Sequence, residues 1–210
     1  MRIVKDAEER RNEILDAAQE LFARKGFEGT RTNDILEKVG IARGTLYYHF
    51  ESKEDIMDAL IERCNNRMIG AAQKVASDKS IPVVERLARV ILTLNMGDEG
   101  SEALMRHIHS PNNALMHQKI QRLIISGVTP ILAQIIQEGI EQGLFNTPHP
   151  YECMEMIVAY ITTVLDDNLA ELSPQEHATK IQAALLHLER MLGVGAGSLQ
   201  CILHVLENKT

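Results

Sequence analysis

Helical periodicity runs through almost the whole chain, and this pattern constrains the fold more than any other feature of the sequence. Apolar residues recur three and four positions apart, no stretch alternates as a half-buried strand does, and no Asn-Gly or Asp-Gly pair marks a hairpin. The fold class that follows is all-α.

Glycine, proline and capping residues divide the pattern. A first helix is predicted from Asp6 to Lys25, because Ile14, Ala18, Leu21 and Phe22 form an apolar stripe among charges and Gly26 stops it. A short helix from Asn33 to Val39 ends at Gly40, and after "IARG" comes a third, "GTLYYHF". Ser52 caps a fourth, with Asp55 where a capping-box acid sits, and Ile56, Leu60, Ile61, Cys64 and Met68 carry it towards Val75. The segment "SDKSIP" is the expected boundary, giving residues 1–53 as one domain, 53–75 as a connecting helix and 80–210 as a second domain. Further helices are predicted over Val83 to Met96, Ser101 to His109, Asn113 to Gly143 with a kink at Pro130, Tyr151 to Leu172 and Pro174 to Leu192. The last of these opens on a capping box of Ser173 and Glu176, with Pro174 in the first helical position, and a tail helix is expected over Ser198 to Leu206.

Composition narrows the function classes. With 45% hydrophobic and 24% charged residues, the chain is neither disordered nor fibrous. No continuous apolar run approaches the ~20 residues of a membrane span, and the N-terminus lacks the apolar centre of a signal peptide, so a cytoplasmic protein with no membrane partner is expected. Cys64, Cys153 and Cys201 are scattered and odd in number, which suits small buried apolar groups and not a disulfide framework. His107 and His109 lie two apart and would project to nearly opposite sides of a helix, so no metal is expected, nor any other cofactor. The absence of a Gly-rich phosphate loop, HExxH, GxSxG or paired carboxylates argues against an enzyme.

The net charge of −7 seems at odds with a nucleic-acid partner until its distribution is considered. Residues 1–53 hold ten Lys/Arg and ten Asp/Glu, and from Arg24 to Lys53 there are six basic residues to four acidic. The whole deficit lies beyond. Within this locally basic stretch, a short helix ending in Gly40, a turn, and a second helix starting near Arg43 describe a helix-turn-helix, whose second helix enters the DNA major groove. Phosphates line the walls of that groove and base edges its floor, so the inserted helix needs cations, hydroxyls and flat amphipathic rings. Arg43 can pair with guanine or clamp a phosphate, Gly44 lets the backbone approach, and Thr45 offers a donor and a methyl. Tyr47, Tyr48 and His49 can reach phosphates, sugars and thymine methyls, while Leu46 and Phe50 face the core. Lys53 opens the next helix, where its charge favours a phosphate.

The stretch "AAQELFARKGFEGTRTNDILEKVGIARGTLYYHFESKEDIMDAL", about a fifth of the chain, resembles the DNA-binding domain of the TetR/AcrR family of transcriptional repressors through "LFARKGF", "DILEKVG", "GTLYYHF" and "SKEDI" in order. The resemblance implies nine or so helices, a three-helix DNA reader, a larger C-terminal domain that binds a small-molecule effector and forms a homodimer, and release from a double-stranded operator when the effector binds. It places Thr32, Asn33, Arg43, Gly44, Thr45, Tyr47, Tyr48, His49 and Lys53 at the DNA. Two departures stand out: Ala42 replaces a Ser or Thr cap, which costs about 1 kcal/mol, and Leu36 stands where a small Ala is common.

The C-terminal half is read from its residues alone. Met96, Met105, Met116, Met154 and Met156 are flexible and polarizable, suited to a pocket for apolar guests, and Tyr160 and Thr163 add polar tips that could orient one. The candidate ligand contacts are Met96, Met105, Met116, Tyr160 and Thr163. The last two long helices carry more apolar surface than one core needs, so Ile157, Ile161, Leu165, Leu185, Leu188 and Leu192 are the expected dimer contacts. Effector entry near Met96 to Met116 is expected to shift the connecting helix as a lever. The rival reading, a helical protein-interaction module without DNA binding, leaves the cluster from Arg43 to Lys53 unexplained.

Overall fold

The computed structural model describes residues 6–94, 114–165 and 172–202. Among these, every regular element is helical: α1 (Ala7–Lys25), α2 (Thr32–Val39), α3 (Arg43–His49), α4 (Lys53–Ser77), α5 (Val83–Leu94), α6 (Ala114–Glu141), α7 (Pro150–Val164) and α8 (Pro174–Met191), with residues 200–202 opening a further turn. The helices expected over Ser101 to His109 and beyond Ile202 lie outside the described residues. So does the latter part of the helix expected to reach Leu172, whose described portion ends at Val164.

The chain divides into two compact units, and the division falls inside α4, between Asn66 and Arg67. In the first unit, Ile14, Ala18, Leu21 and Phe22 of α1 bury their stripe with Ile35, Leu46, Phe50, Ile56 and Leu60. The Phe22 and Phe27 rings lie 5.2 Å apart, and the Arg11 guanidinium covers the Phe50 ring at 4.8 Å. The α1–α2 connection is closed by Thr30, whose buried hydroxyl donates to the Gly26 carbonyl at 2.7 Å. Arg63 ties α4 back to α1 through Asp16 at 2.7 Å and Gln19 at 2.8 Å.

The second unit is built around α6. Its Val128, Leu132, Ile135 and Ile136 are buried with Ala72 of α4, Leu87 and Val90 of α5, Met154 and Val158 of α7, and Leu188 and Leu192. By length and composition His117–Glu141 could cross a membrane, a segment missed by counting continuous apolar runs because single polar residues interrupt it. Its apolar face is the centre of a helical core. Helix α6 continues through Pro130. At Gly139 a side chain is excluded, because a Cβ there would collide with the Phe145 ring. Arg86, buried on α5, clasps three elements: it donates to the Ala76 carbonyl at 2.8 Å, to the Ile81 carbonyl at 3.0 Å and to both Glu138 oxygens at 2.9 and 2.5 Å. Lys79 also pairs with Glu138. Hydrogen bonds from Arg86 and then Lys79 hold the Glu138 carboxyl down at about 2.

Candidate nucleic-acid interface

Helix α2 ends because Gly40 takes the left-handed conformation, φ 70°, and returns its N–H to the Leu36 carbonyl at 2.9 Å. Ile41 and Ala42 complete the turn. Ala42 has the extended backbone of an N-cap but no side-chain acceptor, so α3 starts without the capping hydrogen bond that Ser or Thr would give. At the other end of α2, Asp34 reaches back to the Arg31 N–H at 2.8 Å and pairs with Lys25 at 3.1 Å. These bonds, with Arg31 first, hold its carboxyl below the usual range.

Helical spacing then sorts the side chains of α3. Leu46 and Phe50, four apart, are buried and fix the helix to the core. Arg43, Gly44, Tyr47 and Tyr48 lie on the exposed face, Tyr47 at 46% and Tyr48 at 79% exposure. The Arg43 guanidinium sits 5.8 Å from the Tyr47 ring, and the Tyr48 and His49 rings meet edge to face at 5.0 Å. Thr45 and His49 flank this face half-buried, and on α2 Asn33 is exposed and Thr32 half-buried. All of these belong to the first unit.

Lys53 has a partner within the protein. Its ammonium donates to the Phe27 carbonyl at 2.8 Å and lies 4.0 Å from the Phe27 ring centre, which anchors the α1–α2 loop to the start of α4. Beside it, Ser52 accepts from the Asp55 N–H at 3.0 Å, and Asp55 accepts from the Glu51 N–H at 3.0 Å, one residue earlier than a standard capping box. Nothing in residue spacing distinguishes a lysine aimed at phosphate from one folded onto a carbonyl twenty-six residues earlier in the chain.

Met96 and Met105 lie outside the described residues, as does the Met116 side chain. Tyr160 is half-buried and Thr163 exposed, and neither lines a described cavity. Of the six residues expected at a partner surface, four are buried in the protomer and two are half-buried. Ile157, Leu185, Leu188 and Leu192 are buried within the protomer, and half-buried Ile161 and Leu165 line a cavity beside them. The reason is rotational. The wider apolar stripe of each helix faces its own core, leaving outside a second stripe of Met156, Tyr160 and Thr163 on α7 and Ala183 and Leu186 on α8. Met156 is 60% exposed and Leu186 38%.

Two family models match the chain: one described as bacterial regulatory proteins of the tetR family, over residues 14–60, and one described as a tetracyclin repressor-like C-terminal domain, over residues 99–185. The chain is 31% identical over 134 residues to the fatty acid metabolism regulator protein of Bacillus subtilis (strain 168), covering 62% of this chain and 68% of that one. It is 40% identical over 156 residues to the HTH-type transcriptional repressor KstR2 of Mycobacterium tuberculosis (strain ATCC 25618 / H37Rv), covering 69% of this chain and 74% of that one. Among solved structures, RolR in complex with resorcinol aligns at TM-score 0.62 and 19% identity over 93% of both chains. FadR from Bacillus subtilis in complex with stearoyl-CoA aligns at TM-score 0.53 and 24% identity, over 86% of this chain and 97% of that one. At such identities the two structures show the shared fold.

Proposed function

The chain belongs to the TetR family of bacterial regulatory proteins, and on that premise we propose that it is a cytoplasmic repressor that binds a roughly palindromic operator as a homodimer and leaves it when a small apolar or amphipathic effector binds. The observation that carries the DNA half of this reading is the outward face of α3, where Arg43, Gly44, Tyr47 and Tyr48 are exposed while Leu46 and Phe50 hold the helix from behind. Arg43 and Tyr48 read or grip the groove, Tyr47 steadies Arg43, and Thr32, Asn33, Thr45 and His49 contact the flanking backbone. Lys53 acts mainly by holding the Phe27 loop.

The partner surface in this reading is the outer stripe of α7 and α8, with Met156, Tyr160, Ala183 and Leu186 at its centre. An apolar effector is supported by the second unit's aliphatic interior and by the guests of the related folds, stearoyl-CoA in FadR and resorcinol in RolR. Helix α4 is continuous from Lys53 to Ser77, contributing to both units, and carries the response. Selection of bound sequences from a random duplex pool tests the whole reading. Two inverted half-sites with centres about 34–36 Å apart are expected; a folded, ligand-free protein that enriches no duplex at low salt refutes it.

A further inference from the structure

Helix α4 runs through both units, and its middle is the part that packing supports least. Towards its start Ile56, Met57, Leu60 and Ile61 are buried, and Arg63 is tied to Asp16 and Gln19. Towards its end Ala72 is buried, and the Ala76 carbonyl accepts a hydrogen bond from Arg86. Between these anchors none of residues 62–71, all of them described, is buried. The gap is about three turns of helix. Burial of an apolar face supplies most of a helix's stability in a protein, so this stretch depends on its own sequence.

That sequence is poor for a helix. Asn65 and Asn66 are weak helix formers, and Asn65 Oδ1 is shut off from solvent with no hydrogen-bond partner among the described residues. Gly70 is exposed, and nothing lies within 4 Å of the place a Cβ would take. The glycines of α6 are different: a Cβ at Gly127 would collide with the Ile69 side chain, and one at Gly139 with the Phe145 ring. Their neighbours need the room. A glycine inside a helix lowers its local stability about fivefold in equilibrium constant relative to alanine, and no close neighbour accounts for that loss at Gly70. Opening the helix here also lets water reach the Asn65 oxygen.

We propose that α4 carries a pivot over residues 65–70, with Gly70 as its softest point, and that bending there sets how strictly the protein measures the distance between operator half-sites. One inserted base pair moves a half-site by about 3.4 Å and rotates it by about a tenth of a turn. A stiff α4 in each protomer holds the two copies of α3 at one separation, whereas a pivot lets them follow a displaced half-site. Gly70 is therefore a positioning residue, acting through the placement of α3. This rests on the operator-binding reading above.

The test uses the full-length protein, with Gly70→Ala as the stiffened variant and Ala71→Gly, at an exposed neighbour, as the loosened one. Native-state hydrogen exchange is read by mass spectrometry. In the unaltered protein the amides of residues 66–74 should exchange at least about tenfold faster than those of residues 57–61. Gly70→Ala should slow them about fivefold and Ala71→Gly should speed them about fivefold. Operator affinity is measured by fluorescence anisotropy on the selected operator and on versions with one base pair inserted or removed between the half-sites. On the altered spacings the unaltered protein should lose about threefold or less and Gly70→Ala about tenfold or more, with Ala71→Gly losing least. A change in global stability alone would move all the duplexes together. Spacing profiles that coincide in the unaltered protein and Gly70→Ala overturn the inference and leave the repressor reading standing. So does exchange at residues 66–74 as slow as at residues 57–61. Failure of all these proteins to bind any duplex refutes the repressor reading itself, and the spacing role falls with it.

Discussion

In the proposed reading, operator recognition turns on Arg43 and Tyr48, which are exposed on the face that Leu46 and Phe50 leave outside. Arg43→Ala and Tyr48→Ala should each lower operator affinity about 10- to 100-fold, a loss of about 1–3 kcal/mol, with melting temperature and dimer unchanged; anisotropy titration at fixed salt measures this. Glu138 should contribute to the loss of stability at acid pH. Its carboxyl is held at about 2, against an ordinary value of 4.5, by Arg86 first and Lys79 second, so the charged form is favoured in the folded protein. The stability from this clasp is complete above pH 4.5 and is lost as pH falls towards 2. Glu138→Gln should cost about 2 kcal/mol at neutral pH and flatten the acid limb of a melting-temperature profile. The outward residues of α3 were legible because helical spacing separates them from the buried pair. Neither Lys53 with the Phe27 carbonyl nor Arg86 with Glu138 was legible, since each joins residues distant in the chain through one tertiary approach.

Among the elements, α3 is the one whose own sequence supports it least. It spans Arg43 to His49 and starts at an uncapped Ala42 whose backbone is already extended, φ −74° and ψ 153°. Ala42→Ser should therefore gain about 1 kcal/mol, read as a rise of about 2–4 °C in melting temperature. The boundaries of α1, α2 and α8 follow from Gly26, Gly40 and the Ser173–Glu176 capping box, all local signals visible in the sequence. Rotation about a helix axis is a different matter. Helices α7 and α8 carry two apolar stripes each, and periodicity alone does not say which stripe meets the core and which meets solvent. In the structure the stripe containing Ile157, Leu185, Leu188 and Leu192 is the inner one.

At the scale of the whole molecule, the proposed operator binding requires two copies presenting two copies of α3. If the outer stripe of α7 and α8 joins them, Leu186→Glu places a charge in that surface without touching the core, since Leu186 is exposed. The variant should sediment as a folded monomer and bind a palindromic operator at least about tenfold more weakly, while a dimer of unchanged stability assigns the interface elsewhere. Family membership was legible from the N-terminal reader, whose motifs are short, ordered and chemically specific. The C-terminal half matches a family model as well, over residues 99–185, yet offered no comparable motif because a pocket and a packing face accept many apolar sequences.

The sequence by itself determined the helical class, the positions of the main breaks and which face of α3 turns outward. These depend on interactions within a few residues: three- and four-residue spacing, glycine in the left-handed region, and side-chain caps. Tertiary structure decided which apolar stripe of α7 and α8 lies inside and where the Lys53 and Arg86 charges settle. Those outcomes are set by approaches between segments far apart in the chain, where burial and hydrogen-bond geometry select among arrangements that the local pattern permits equally.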